Sequence, residues 1–251
     1  MKTQLVIGLI GLASLVGCTK DESGSPTNTK YLQKYVVTEN GGNTTHTISY
    51  DNKKRITAIA STEDEYRAIV TYDNKDNVTQ LSLDVEGDKQ VISITYNNAG
   101  QPQSAVMKTR LAEQPNVEKT TNITYQVAND KVTKIKFVDE EQSLFEHTLT
   151  YTGNNLTKLL TTGNAGQIIM TYKHGSKKSP FTGALFKYVL LPDMFELLYS
   201  ENEVIENTIE IPNILSITTK TTYQYDTAGY PTSAEDKNED GQIERKIVYH
   251  Y

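Results

Sequence analysis

The 251-residue chain has no tryptophan, only seven prolines and one cysteine, Cys18. With no second thiol, no intrachain disulfide can form, and stability has to come from a hydrophobic core. Basic residues are outnumbered, 25 Lys and Arg against 31 Asp and Glu for a formal net charge of −6, so nucleic acid is an unsuitable partner. The apolar stretch Leu5 to Val16 is too short to cross a bilayer comfortably as a helix. Gly-x-Ser-x-Gly and His-Glu-x-x-His are both absent, so the chain reads as a non-enzyme. Neighbouring acids such as Asp84 with Glu86, or Asp139 with Glu140 and Glu141, read as a solvated strand face and a turn.

The organised part of the chain starts at the lone cysteine. Lys2 supplies a positive start, Leu5 to Val16 an apolar segment, and Leu15-Val16-Gly17-Cys18 a small residue directly before a cut. This resembles the signal peptide and lipobox of bacterial lipoproteins. The resemblance implies that residues 1–17 are removed, that Cys18 carries the lipid, and that the chain is held at a membrane through its acyl groups. Loss of Lys2 would leave the remainder one unit more negative. The following Lys20-Asp21-Glu22 resembles the export tag of Bacteroidetes-type lipoproteins displayed on the cell surface. Ser, Thr, Asn and Gly make residues 18–30 a flexible tether.

From residue 31 onwards a tyrosine recurs at the end of a short alternating segment: Tyr50, Tyr72, Tyr96, Tyr125, Tyr151, Tyr172, Tyr225 and Tyr249. Apart from one gap between 172 and 225, successive tyrosines are 21 to 29 residues apart, the length of two strands and two turns. The apolar residue two positions earlier, such as Ile48, Val70 or Leu149, shares the tyrosine's face, while Thr or Ser takes the other. A turn rich in Asp, Asn, Lys and Gly follows, and then a second signature with apolar residues three apart: Ile56 and Ile59, Val78 and Leu81, Val132 and Ile135, Leu156 and Leu159. A flat strand cannot put such a pair on one face, so a bulge just after each turn is expected.

The segment Tyr72 to Leu81 resembles the tyrosine-aspartate repeat of the RHS family, although only Tyr50, Tyr72 and Tyr225 are followed by Asp. A resemblance covering nearly the whole mature chain is to Bacteroidetes lipoproteins of unknown function with a porin-like, curled antiparallel sheet. It rests on the lipobox, Lys20-Asp21-Glu22, the repeated Ile-Thr-Tyr strand ends, Lys178-Ser179-Pro180-Phe181, and Tyr225-Asp226 through Gly229-Tyr230-Pro231-Thr232. It implies a fold and no activity. The expected architecture is all-β: an antiparallel up-and-down meander of tyrosine-ended hairpins, 31–251, forming one curled or barrel-like domain. An insert at 175–219 interrupts it, with a short helix near 190–201 started by Asp193 after Pro192. A transmembrane barrel is disfavoured, because the strands are short and the turns and second strands are loaded with Lys, Asp, Glu and Asn.

Two candidate sites remain. Asp236, Asn238, Asp240, Gln242 and Glu244 match the first nine positions of an oxygen-rich calcium loop. Position twelve, however, is Ile247 where a bidentate glutamate belongs, so the expectation is weak calcium binding or an ordinary hairpin tip. The sixteen tyrosines suggest stacking on sugars. Most of them lie on the repeat's apolar face, which leaves Tyr31, Tyr35, Tyr66, Tyr188, Tyr199 and Tyr230 as candidates. His46 and His147 occupy the same repeat position, four before the tyrosine, and read as strand residues. The expected role is a lipid-anchored, outer-membrane, surface-facing binding module for a glycan or another nutrient. The alternative is a structural subunit that binds an outer-membrane protein partner, and a third reading is a carboxylate-based hydrolase, which needs two acids converging in a cleft.

Overall fold

Alternation of Thr or Ser with Ile, Val, Leu and Tyr runs through the chain and produces strands wherever it lasts. The structure is a computed structural model that describes residues 29–61, 66–139, 144–164, 166–192 and 198–251. Cys18, Lys20, Asp21 and Glu22 lie outside the described residues, as do positions 193–197 within the expected helix. The strands are β1 (Lys34–Glu39), β2 (Gly42–Tyr50), β3 (Ile56–Ser61), β4 (Tyr66–Tyr72), β5 (Val78–Val85), β6 (Asp88–Tyr96), β7 (Pro102–Arg110) and β8 (Lys119–Ala128). They continue as β9 (Lys131–Asp139), β10 (Leu144–Thr152), β11 (Asn155–Gly163), β12 (Gly166–Lys178), β13 (Asn202–Ile211), β14 (Leu215–Tyr225), β15 (Pro231–Lys237) and β16 (Ile243–His250). Each pairs antiparallel with its chain neighbours, and β1 pairs with β16 from Lys34↔His250 to Glu39↔Arg245. The curled sheet therefore closes into a sixteen-strand barrel.

Period-two alternation puts the apolar set inside. Ile48, Val70, Leu81, Ile92, Ile123, Ile135, Leu149 and Leu159 are buried and belong to one continuous core. Thr47, Ser49, Thr71, Thr95, Asn122 and Thr150 face outwards and are exposed. Cross-strand ion pairs dress the same outer face: Lys134–Glu146 and Lys173–Glu206 at 2.6 Å, and Lys246–Glu235 at 3.1 Å. This outer face is mainly polar, with Ile69, Val106 and Val248 exposed among the threonines and charges. It reverses the arrangement of a membrane-spanning barrel, which carries its apolar band outside and its polar groups in the lumen.

The expected bulges are present. Tyr50 pairs with Ile56 while Ser49 pairs with Ala58, leaving Thr57 as the extra residue. Equivalent shifts leave Thr79, Thr133, Thr157 and Thr232 unpaired. The added residue turns both members of the three-apart pairs inwards, and Ile56, Ile59, Val78, Leu81, Leu156 and Leu159 are all buried. A threonine there also satisfies a carbonyl freed by the shift: Thr79 Oγ1 donates to Thr71 O at 3.3 Å and Thr157 Oγ1 to Thr150 O at 3.1 Å.

The tyrosines tie successive hairpins together. Tyr72 donates its hydroxyl to Ile56 O, Tyr96 to Val78 O and Tyr151 to Val132 O, each at 2.8 Å, and Tyr50 donates to Leu32 O at 2.7 Å. Each acceptor lies in the preceding unit, so the hydroxyls form a belt around one end of the barrel.

The insert is shorter than expected. β12 continues to Lys178 and β13 begins at Asn202, so 202–219 are barrel wall and only residues 179–201 leave it. Tyr172 of β12 and Tyr225 of β14 are successive repeat tyrosines, and the gap between them is long because residues 179–201 are added between β12 and β13. A 3-10 turn at Thr182–Ala184 opens the insert. Phe181, Phe186, Tyr188, Val189, Leu190, Leu191, Leu198 and Tyr199 are buried in the main core, inside the tyrosine end of the lumen. Tyr199 Oη accepts from Leu190 N and Leu191 N at 3.3 and 3.1 Å, and Tyr125 donates to Leu190 O at 3.5 Å. The insert is a plug.

Candidate functional site: the open end of the lumen

The two ends of the barrel differ. At the tyrosine end β8–β9 and β10–β11 turn on two residues each, while four other connections are tight five-residue turns built on one Asp or Asn, at Asp51, Asp73, Asn97 and Asp226. Asp51 Oδ1 accepts from Lys53 N and Arg55 N, Asp73 from Lys75 N and Asn77 N, and Asp226 from Ala228 N and Tyr230 N, all at 2.8–2.9 Å. The fourth residue takes positive φ, as at Lys54, Asp76, Gly100 and Gly229. Cavities of about 450 and 510 Å³ flank the plug at this end. Cations cover the tyrosine rings around it: Arg55 lies 4.2 Å from the Tyr72 centroid and Lys131 5.2 Å from that of Tyr151.

At the other end the inner face emerges into solvent. Register sets out its rows: Ile168, Ile211 and Leu215 lie side by side on β12, β13 and β14, and Met170, Ile209 and Ile217 form the next row inwards. Ile168, Leu215 and Ile217 keep 39%, 45% and 46% of their surface exposed, and Ile214 at the hairpin tip keeps 78%. Across Gly163 and Gly166 the lining continues to Phe145, which stacks on Phe137 with centroids 4.2 Å apart. A cavity of about 200 Å³ lies between these rings, Gln90, Met107, His147 and the Leu191–Pro192 end of the plug. The result is an apolar crescent from β9 to β14.

Polar groups punctuate this crescent. His147 Nδ1 is 2.9 Å from Thr161 Oγ1, its ring edge-on to Phe137 and Phe145. Gln90 Oε1 and Asn207 Oδ1 are buried and accept no hydrogen bond from the described residues. They are acceptors available to a ligand donor. The crescent falls partly inside the stretch expected to be an insert. Its signal in the sequence is the alternation of Ile168 with Met170, Ile209 with Ile211, and Leu215 with Ile217.

The proposed calcium residues are not brought together. Asp236 faces the lumen, buried, where its carboxylate accepts from Thr221 Oγ1 and Arg245 Nε at 2.7 Å. Glu244 is on the opposite, outer face, one residue from inward-facing Arg245. Asn238 repeats the five-residue turn of the tyrosine end: its Oδ1 accepts from Gln242 N at 2.9 Å and Gly241 sits at φ 78°. Asp240 is at the exposed tip. The oxygen-rich spacing is that of a hairpin turn, and among the described residues no cluster of three or more His, Cys, Asp or Glu could hold a metal.

Of the tyrosines singled out for sugar stacking, Tyr31, Tyr35 and Tyr66 are half-buried. Tyr188, Tyr199 and Tyr230 are buried. Tyr230 has Lys178 4.0 Å from its centroid, and Tyr35 stacks on His46 at 4.6 Å. Of the carboxylate pairs, Asp84 is on the outer face, 3.7 Å from Lys89.

A closed, antiparallel, sixteen-strand barrel with a plugged lumen belongs to the porin-like class of folds, and comparison with solved structures agrees. The chain is similar to a porin-like protein from Bacteroides uniformis ATCC 8492, with 16% identity and a TM-score of 0.57 over 88% of this chain and 98% of that one. It is similar to a porin-like protein from Bacteroides vulgatus ATCC 8482, with 9% identity and a TM-score of 0.59 over 89% and 99%. At these identities the likeness establishes the fold alone. No protein-family model matches the chain, and no curated protein matches its sequence.

Proposed function

We propose that this protein is a lipid-tethered, non-catalytic binding module whose site is the open end of the lumen. The observation that carries this reading is the solvent-exposed apolar crescent ending in Ile168, Leu215 and Ile217, which lie in adjoining rows, whereas Ile69, Val106 and Val248 on the outer face are set among threonines and charges. Exposed contiguous apolar surface of this kind marks a site for a ligand or partner. The occupant best matched to it is an apolar group or segment, because the crescent is lined by aliphatic side chains and Phe145 and holds none of the tyrosines singled out for stacking.

The position of the N-terminal segment supports a tethered arrangement. Lys30 N donates to Tyr230 Oη at 3.2 Å, Lys30 Nζ pairs with Asp226 at 2.6 Å, and Leu32 is buried. The chain thus leaves from the plugged end. If Cys18 carries lipid, a tether of roughly 40 Å at full extension holds the plugged end towards the membrane and turns the open end away from it.

The test is a titration of residues 18–251, with Cys18→Ser in place of the lipid, using the uncharged fluorophore N-phenyl-1-naphthylamine, alongside a glycan array. Saturable fluorescence enhancement that is lost in Ile217→Lys, with the unfolding midpoint unchanged, is the expected result. Saturable glycan binding with no naphthylamine binding would replace the apolar reading by the nutrient-glycan one.

A further inference from the structure

We propose that the upper edge of β14 accepts an extended peptide segment with alternating apolar and basic side chains, which adds as a further strand at the open end. This rests on the open-end binding reading and names its occupant. β14 pairs with β13 along Leu215–Lys220 but meets β15 only from Lys220 onwards, where Lys220 opposes Lys237. Among the described residues, therefore, 215–219 have no strand on their second side. The Thr218 amide points to that side and donates to the Glu239 carboxylate at 3.2 Å. Ser216, two residues along the same strand, turns its N–H and C=O the same way.

A bare strand edge is a template for another strand, and proteins that do not use one usually blunt it with proline, lysine or a bulge. Here the edge residues are Ser216 and Thr218, and the adjoining inward side chains, Leu215 and Ile217, are 45% and 46% exposed. An added strand would extend the rows Ile168–Ile211–Leu215 and Met170–Ile209–Ile217 by one apolar side chain each. Its alternate residues would point outwards beside Glu239 and Asp240 in the β15–β16 turn, with Glu210 one strand further off, across β14. Glu239 and Asp240 beside a two-row apolar surface complement lysine or arginine at the positions away from the Lys220–Lys237 end of the edge. The Glu239 carboxylate on Thr218 N occupies the place a peptide carbonyl would take.

The probe is the labelled peptide Lys-Val-Lys-Val-Lys-Val-Lys, tested by fluorescence anisotropy and hydrogen exchange on residues 18–251 carrying Cys18→Ser. Its controls are the same peptide with an inner lysine replaced by proline and one lysine added at its N-terminus, which keeps the charge but removes a backbone N–H aimed at β14, and Glu-Val-Glu-Val-Glu-Val-Glu. Saturable binding of the first, slowed exchange at the Ser216 and Thr218 amides, and affinity weaker by about tenfold for the proline control are expected. Ser216→Pro should weaken binding similarly while naphthylamine binding persists, and Glu239→Lys provides a second variant that leaves the β14 backbone unaltered. Equal affinity for the proline control, or binding without protection of residues 216 and 218, would reduce the interaction to charge attraction and overturn the proposal. No peptide binding would also overturn it, with the open-end reading intact if the fluorophore still binds.

Discussion

Tyr72 carries in one side chain the logic of the tyrosine end. Its ring packs against the core, its hydroxyl donates to Ile56 O in the previous hairpin, and Arg55 lies over its face. The face the tyrosine shares with Val70 is legible in the sequence from alternation alone. The acceptor is not, because it is a backbone carbonyl in another unit and has no side-chain signature. The same limit applied at Asn238, where a calcium loop and a five-residue turn call for the same residues, and only the partners of Asn238 Oδ1 and Asp236 separate them. Tyr151→Phe, which deletes the bond to Val132 O and little else, should lower unfolding free energy by about 1 kcal/mol in a urea titration. Burial pushes the hydroxyls of Tyr50, Tyr72, Tyr96, Tyr125, Tyr151 and Tyr223 above the ordinary tyrosine value. Since the folded-state values exceed the unfolded value of about 10, their contribution is fully present below that pH and is lost as pH rises towards the folded-state values. The urea midpoint should therefore be level between about pH 7 and 9 and fall steadily above about pH 10.

At the scale of elements, the hairpin unit was readable down to its bulge, since apolar residues three apart can share a face only if one residue is extra. The extent of the insert was not readable, because the long gap between Tyr172 and Tyr225 shows that residues are added but not where in the interval they leave the wall. Two substitutions probe the turns and the plug separately. Gly229 has φ 79° and open space where a Cβ would go, so Gly229→Ala tests backbone conformation alone and should destabilise by about 1 kcal/mol. Leu190 is 1% exposed, held between Tyr125 and Tyr199, and Leu190→Ala should cost about 2–5 kcal/mol in the same titration. A much smaller loss would mean that the insert rests on the barrel without filling it. Gly183 marks where the N-terminal segment crosses the plug, since a Cβ there would come within 2.8 Å of Lys30 O.

For the whole molecule, closure depended on a contact with no local signal: β1 and β16, at opposite ends of the chain, complete the ring by pairing Val37 with Ile247 and Tyr35 with Tyr249. The sequence left curled and closed sheets equally open, because every strand alternates in the same way whether or not the first meets the last. The polarity of the barrel, one end plugged and the other open, was likewise out of reach, as it follows from where residues 179–201 fold back. The most direct test of this asymmetry is cysteine accessibility in a Cys18→Ser background, with single replacements Ile217→Cys, Leu215→Cys, Ile123→Cys and Leu190→Cys exposed to a maleimide. Labelling of the first two at near the unfolded-chain rate, with the last two slower by about a thousandfold or more, is the expected result. Slow labelling at positions 215 and 217 would show the mouth to be covered, and fast labelling at position 190 would show the plug to be absent; either would contradict a barrel closed at one end and open for binding at the other.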